Sequence, residues 1–441
     1  MRKLQDQLQE QDQKEIMFTR RNFLSTLGAG LVGVPFAFSA NQEAAGRKKM
    51  AIVATEWRLR SHAQHKGDRF LVGYPMNGKW RQPRLDVASL YVDQTPHNDL
   101  SRQRAEEFGF KIYPSIAETL RLGGDKRAVD AVLVIGEHGD YERNELGQKK
   151  YPRYEFFKQV ADVFRKDGKG VPVFNDKHLS WKWEWAREMV DTAHELKFPL
   201  MAGSSLPVTW RMPVVEMPSN AEPEEVMCLA MGGVDSYDFH ALEVIQCMAE
   251  RRRGGETGVK WVQASRGDSA WHAMQAGSFD NGGFSLKLFD ACMNRSQTLA
   301  TARPQIFGHR KPTTDEMRNM VKDPVVYRFQ YHDGLKATML LMNGLVGDFT
   351  FATKLKGNPD PLSTLFYLPP VPNVHYSAVL MSKVEEMFLT GKAVYPAERT
   401  LLTSGVLAAA MKSLSVDHKQ VKTPHLSVCY QAPEESTFCR R

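Results

Sequence analysis

The run VDAVLVIG, residues 129–136, is apolar at nearly every position. A strand with one wet face alternates apolar and polar residues, so a run without alternation is buried on both faces. Strands of that kind belong to parallel sheets, and a parallel sheet needs a crossover helix between consecutive strands. The chain supplies both. MAIVAT (50–55), VASLYVD (87–93), VPVFND (171–176) and FPLMAG (198–203) are further short apolar runs. Between two of them, YEFFKQVADVFRKDG sets Phe156, Phe157, Val160, Val163 and Phe164 on one helical face and stops at Gly168. Ser180 is placed to cap the next helix, which carries Ala186, Met189, Val190 and Ala193. This alternation predicts an α/β unit over residues 47–203, a doubly wound parallel sheet of the Rossmann type.

After Gly203 the pattern changes. EEVMCLAMGG reads as a strand, and a helix is predicted from about residue 240 to 253. PVVYRFQYHDGLKATMLLMNGLVGDFTFATKL then gives three β-rich runs, split by Asp333-Gly334 and Asn343-Gly344. Both dipeptides are strong hairpin signals. Two late helical segments follow. Residues 204–430 are therefore expected to form an α+β domain, an open, largely antiparallel sheet with helices on one face, before a tail at 431–441.

Two domains suit 441 residues, which exceed what one core organises. The net charge of +7 is spread out, and the densest basic runs, at Arg47 and Arg251, are short. No basic stripe with interleaved aromatics exists, which argues against a nucleic-acid partner. The N-terminal 39 residues read as targeting rather than fold. Arg20-Arg21 precedes the apolar run LGAGLVGVPFAF, which is too short to span a bilayer, and Ala37-Phe38-Ser39 offers a cleavage site. This resembles a twin-arginine export signal, with Met17 as a candidate start and Ala40 near the mature N-terminus. The expectation is export, to the periplasm or outside the cell, with no membrane-spanning segment in the mature form. Five scattered cysteines, none in a C-x-x-C pair, suit neither a zinc site nor a disulfide framework, and no metal site is predicted.

In a doubly wound sheet, ligands bind beyond the carboxyl ends of the strands. Asp176-Lys177-His178 ends one predicted strand there, and Gly136-Glu137-His138 ends another. A lysine at such a place either meets a substrate oxygen or lies solvated at the strand end. The order of VDAVLVIG, GKGVPVFNDKHLS, FPLMAG and SYDFHALEVIQCMAERRRGGETGVKWVQA resembles the Gfo/Idh/MocA oxidoreductases over about residues 48–430. Asp176-Lys177-His178 stands where that family has E-K-P. Phe239 to Glu243 lies near its G-x-H-x-x-D motif. The resemblance implies hydride transfer between a nicotinamide and a sugar or sugar derivative, with Lys177 at the reacting oxygen, His240 as acid/base and Glu243 orienting its ring. It also implies a carbohydrate substrate and a homo-oligomer formed through the exposed face of the second sheet.

The departures from that family concern the cofactor. The first strand should run into G-x-G-x-x-G, whose glycines let the backbone approach a pyrophosphate. Residues 54–65 contain no glycine, Glu56 brings negative charge and Trp57 brings bulk; Arg58 is left to pair with phosphate. Two roles are open to Asp93, a ribose 2′-OH acceptor favouring NAD over NADP or a turn residue. Gly136 with Glu137 and His138 is expected beside the nicotinamide, though the glycine also suits a turn. Two alternatives to net oxidation stand beside the first reading: glycoside cleavage or epimerisation with a tightly bound, recycled NAD, and a non-catalytic carbohydrate-binding or scaffold protein that has lost the dinucleotide. Trp181, Trp183, Trp185, Trp210 and Trp271 are candidates to stack on sugar faces or to pack in the core.

Overall fold

The computed structural model describes residues 46–300, 310–371 and 373–440. The twin-arginine segment lies outside the described residues. From Arg47 onward the chain forms one compact unit. None of its described helices is long and apolar enough to cross a membrane.

The first half runs β1 (Lys48–Ala54), α1 (His62–Val72), β2 (Tyr74–Met76), β3 (Lys79–Arg81), β4 (Leu85–Val92), α2 (Ser101–Phe108), β5 (Lys111–Ile112), α3 (Ile116–Arg121), β6 (Ala131–Ile135), α4 (Arg153–Asp167), β7 (Val173–Asp176), α5 (Trp183–Glu195) and β8 (Leu200–Gly203). Six strands form a parallel sheet in the order β5-β4-β1-β6-β7-β8. This is the predicted doubly wound sheet. Its order reverses between β1 and β6, which opens the crevice at their carboxyl ends. The run that suggested burial on both faces is buried at every position from Ala131 to Ile135. Helix α4 stops at Gly168, in the left-handed region. Two details differ from expectation. Ser180 does not cap α5; its hydroxyl accepts from Lys182 N and the helix begins at Trp183. A small hairpin, β2–β3, turns at Asn77-Gly78 with positive φ at both residues, the turn this dipeptide favours.

The second half runs β9 (Trp210–Met212), β10 (Pro223–Ala230), α6 (Tyr237–Ala249), β11 (Val259–Arg266), α7 (Asp268–Ala276), α8 (Leu286–Arg295), α9 (Thr314–Met320), β12 (Val325–Tyr331), β13 (Lys336–Leu341), β14 (Phe349–Leu355), β15 (Leu362–Tyr367), α10 (His375–Thr390), α11 (Glu398–Ser415) and β16 (Val421–Lys422). Its sheet has the order β16-β11-β12-β13-β10-β14-β15-β9, and only β10 and β13 pair in parallel. Asp333-Gly334 joins an antiparallel pair, as expected. Asn343-Gly344 does not make a hairpin, because β10 lies between β13 and β14. The Asn343 side chain instead clasps the end of β10, accepting from Gly232 N at 2.7 Å and donating to Gly232 O at 2.9 Å.

The expectation of helices on one face of this sheet is also corrected. Val226, Cys228 and Ala230 of β10 face a core shared with α6 and α11. Met227 and Leu229 face the other way, onto Trp271, Phe284, Leu288, Phe289 and Cys292. Strand residues alternate between faces, so apolar residues on both require cover on both. Helices α7, α8 and α9 provide it over the central strands. The two halves are tied together. One core runs from Val132 and Val134 of the first sheet through α5 and α6 to Leu402 and Val406 of α11, while Val384, Met387 and Phe388 of α10 pack on Phe70 of α1.

Candidate functional site

A cavity of about 570 Å³ lies between the carboxyl ends of the parallel strands and the second sheet. The strand ends contribute Glu137, His138, Asp176, Lys177, Ser204 and Ser205, and α6 contributes Tyr237 and His240. The third contribution comes from α1, which sends in His62, His65 and Lys66. Leu368 to Val371, between β15 and α10, form part of the remaining wall.

Lys177 is not a solvated strand end. It is 4% exposed, and its backbone turns left-handed, with φ 66°. A non-glycine residue in that region costs roughly 1–2 kcal/mol. Its N–H donates to Gly203 O at 3.1 Å, which fixes the turn. Lys177 Nζ then lies 2.8 Å from His240 Nε2 and 3.9 Å from Glu137 Oε1. An ammonium can only donate, so Nε2 accepts and the ring proton sits on Nδ1. Burial, reinforced by Lys177, holds the imidazole of His240 far below its ordinary pKa, hence neutral.

Two further networks hold the strand ends. Glu137 pairs with the fully buried Arg153, which also donates to His178 Nε2 at 3.0 Å. Burial opposes ionisation of Glu137, but Lys177 and Arg153 outweigh it and keep the carboxylate charged. Gly136 makes room for this pair: a Cβ there would meet Arg153 Cγ at 2.5 Å. Asp176 is fully buried, 2.5 Å from His62 Nδ1 and 2.8 Å from Lys66 Nζ. Burial opposes its ionisation as well, and Lys66 and His62 overcome that. His62 and His65 are themselves held neutral, at about 3 and about 4, by burial first and Lys66 second.

Of the residues expected from sequence, Glu137, His138, Asp176, Lys177 and His240 meet at the cavity. Arg58, Asp93, Gly136 and Glu243 do not line it. Glu243 does not reach the ring of His240; its carboxylate accepts from Ser204 N at 2.6 Å and Thr400 Oγ1 at 3.1 Å. Burial raises it to about 7. None of the five candidate tryptophans lines the cavity; Trp185 stacks on Tyr154, and Trp271 is core. Sequence reasoning missed His62, Lys66 and Arg153. The available signal was His62 and Lys66 four apart on one helix face directly after a strand-end turn. Among the described residues no group of histidine, cysteine, aspartate or glutamate is arranged to hold a metal ion.

The dinucleotide expectation can be tested on the first turn and on Asp93. At the fingerprint spacing after β1, the three glycine positions carry Ala54, Glu56 and Leu59. Glu56 is buried and paired with Arg58 at 2.6 Å. Trp57 is fully buried, stacked on Phe110 and lying over Gly67 of α1, where a Cβ would come within 2.5 Å of the indole. The start of α1 is closed by its own side chains: Ser61 Oγ accepts from Arg58 N and Gln64 N, and Gln64 Oε1 accepts from Arg60 N. Asp93 receives the hydroxyls of Tyr91 at 2.9 Å and Tyr141 at 2.6 Å, one on each oxygen. These residues do not fit the adenosine and pyrophosphate of a dinucleotide in the usual seat.

No family model matches the sequence, and no curated protein matches it. Solved structures do. GenD2 from gentamicin A biosynthesis, in complex with NAD, superposes with a TM-score of 0.53 at 14% identity, over 89% of this chain and 99% of that one. The myo-inositol dehydrogenase from Lactobacillus casei, in complex with NAD(H) and myo-inositol, gives 0.51 at 12%, over 85% and 96%. A probable dehydrogenase from Thermotoga maritima gives 0.50 at 12%, over 86% and 99%. At such identities the likeness establishes the fold alone, a six-stranded parallel sheet joined to a largely antiparallel one.

Proposed function

We propose that this chain is an exported enzyme acting on a sugar or cyclic polyol, with Lys177 and His240 as its acid–base pair. The observation that carries the reading is the 2.8 Å contact between Lys177 Nζ and His240 Nε2 at the wall of the cavity. A substrate hydroxyl against Lys177 can pass its proton into the ammonium as the ammonium passes one on to Nε2. The lysine stays charged and steadies the oxygen, while His240, neutral beforehand, takes the net proton. In reverse, the same pair protonates a carbonyl oxygen. Glu137, itself paired with Arg153, lies 3.9 Å behind the ammonium.

The fold shared with NAD-complexed dehydrogenases supports oxidoreductase chemistry at the carbon bearing that oxygen. No step is assigned to a dinucleotide here, because the first turn and Asp93 do not fit one. That misfit favours a second reading, a redox-neutral reaction on the same class of substrate. The test is conversion of a panel of monosaccharides and cyclic polyols, followed by nuclear magnetic resonance with and without NAD. Conversion by the wild type, lost in His240→Asn, supports the reading; full activity in His240→Asn contradicts it.

Export rests on Arg20-Arg21 and the short apolar run after it. Replacing both arginines by lysine should leave the precursor in the cytosol, read by fractionation of the producing cells. Unchanged export of that variant would rule the twin-arginine route out.

A further inference from the structure

The acid that ends β7, at the carboxyl ends of the strands where ligands of such sheets bind, is already ion-paired within the chain. Asp176 is 0% exposed, with His62 Nδ1 on one oxygen and Lys66 Nζ on the other. Both partners come from α1, the helix whose N-terminus would face a pyrophosphate in a dinucleotide crevice. Lys66 is itself 4% exposed, and its Nζ lies 2.8 Å from Asp176 and 2.8 Å from His62 Nδ1. Asp93, the candidate ribose acceptor after β4, is engaged too, by the hydroxyls of Tyr91 and Tyr141. So the strand ends after β1, β4 and β7 are each occupied by side chains of this chain.

We propose that His62 and Lys66 of α1 stand in for the dinucleotide, so that the crevice binds its substrate with no dinucleotide at all. This goes beyond the proposed function, on which it rests for the substrate site, and selects its redox-neutral branch. The substitution is internally consistent. A bound dinucleotide would bring ribose hydroxyls to acids at the strand ends; α1 brings a cation and an imidazole instead, and Lys66 and His62 keep Asp176 charged without a ligand. The cavity that remains is bounded by His62, His65 and Lys66 on one side and by Tyr237 and His240 on the other, and does not extend to Arg58, Asp93 or Gly136.

The test uses the purified full chain. Denaturing extraction followed by mass spectrometry reads any resident nicotinamide nucleotide, and calorimetric titration with NAD, NADH and NADP reads binding to the native protein. The expected result is no stoichiometric nucleotide and no saturation at millimolar concentration. A paired stability measurement guards against a damaged preparation. Lys66→Met should lower the melting temperature by leaving Asp176 uncompensated, and adding Asp176→Asn should restore most of the loss. Resident nucleotide, or saturable micromolar binding, would overturn the inference while leaving the Lys177–His240 reading intact. Equal melting temperatures for wild type and Lys66→Met would overturn it too, since Lys66 would then not be holding Asp176. Failure of the proposed function shows elsewhere, as turnover that survives loss of His240.

Discussion

At the scale of single residues, burial decides what each ionisable group does. Lys177 was readable from sequence as a strand-end lysine, but its burial and left-handed backbone were not, because both depend on Gly203 of the neighbouring strand. Glu243 was legible as an acid one turn from His240, yet its carboxylate turns to Ser204 and Thr400 on other elements. That placement has a measurable consequence. Its folded pKa of about 7 stands above its ordinary 4.5. The protonated form is therefore favoured by folding, so its contribution is intact below about pH 4.5 and lost as pH rises through about 7. Glu243→Gln keeps an acceptor for Ser204 and removes the titration. Its melting temperature relative to wild type should climb between pH 5 and 8; a difference independent of pH would mean that the carboxyl is ionised throughout.

Elements were legible where the signal is local. Five of the six parallel strands were marked by a short apolar run, the two-residue exposed β5 being the exception, and α4 by its periodicity and terminal glycine, because burial on two faces or one stripe imprints directly on sequence. What could not be read was pairing at a distance. Insertion of β10 between β13 and β14 leaves no local trace, so Asn343-Gly344 looked like a hairpin turn. The first turn was half legible: the missing glycines were plain, but not that Trp57 would fill the space beside α1. Trp57 is fully buried against Phe110 and Gly67. Trp57→Ala should therefore cost about 3–5 kcal/mol of stability in denaturant titration. A cost under about 1 kcal/mol, the range of surface substitutions, would show that the indole is not packed as described.

For the whole molecule, the two sheets share one core through α5, α6 and α11, and α10 returns to pack on α1. A boundary near residue 203, natural from the change of sequence pattern, therefore cuts through packed side chains. Residues 47–203 produced alone should show no cooperative thermal unfolding by circular dichroism, since the partners of Phe70 and Trp183 would be missing. A sharp transition would show that the first half is an autonomous domain. The same integration positions the chemistry: Lys177 comes from the first sheet and His240 from a helix of the second, and only their packing brings the two nitrogens together.

Whether the two nitrogens work together in turnover is decided by a single substitution at Lys177. Lys177→Met keeps the side-chain stem and the left-handed backbone while removing the ammonium. Its single-turnover rate on the best-converted sugar or polyol should be measured beside its melting temperature. A positioned acid–base group contributes about 10²–10⁴ in rate, so a loss of that size is expected with the fold retained. Lys177→Arg should fail similarly, because guanidinium does not exchange a proton near neutrality. A folded Lys177→Met protein that turns over substrate at the wild-type rate would contradict the account.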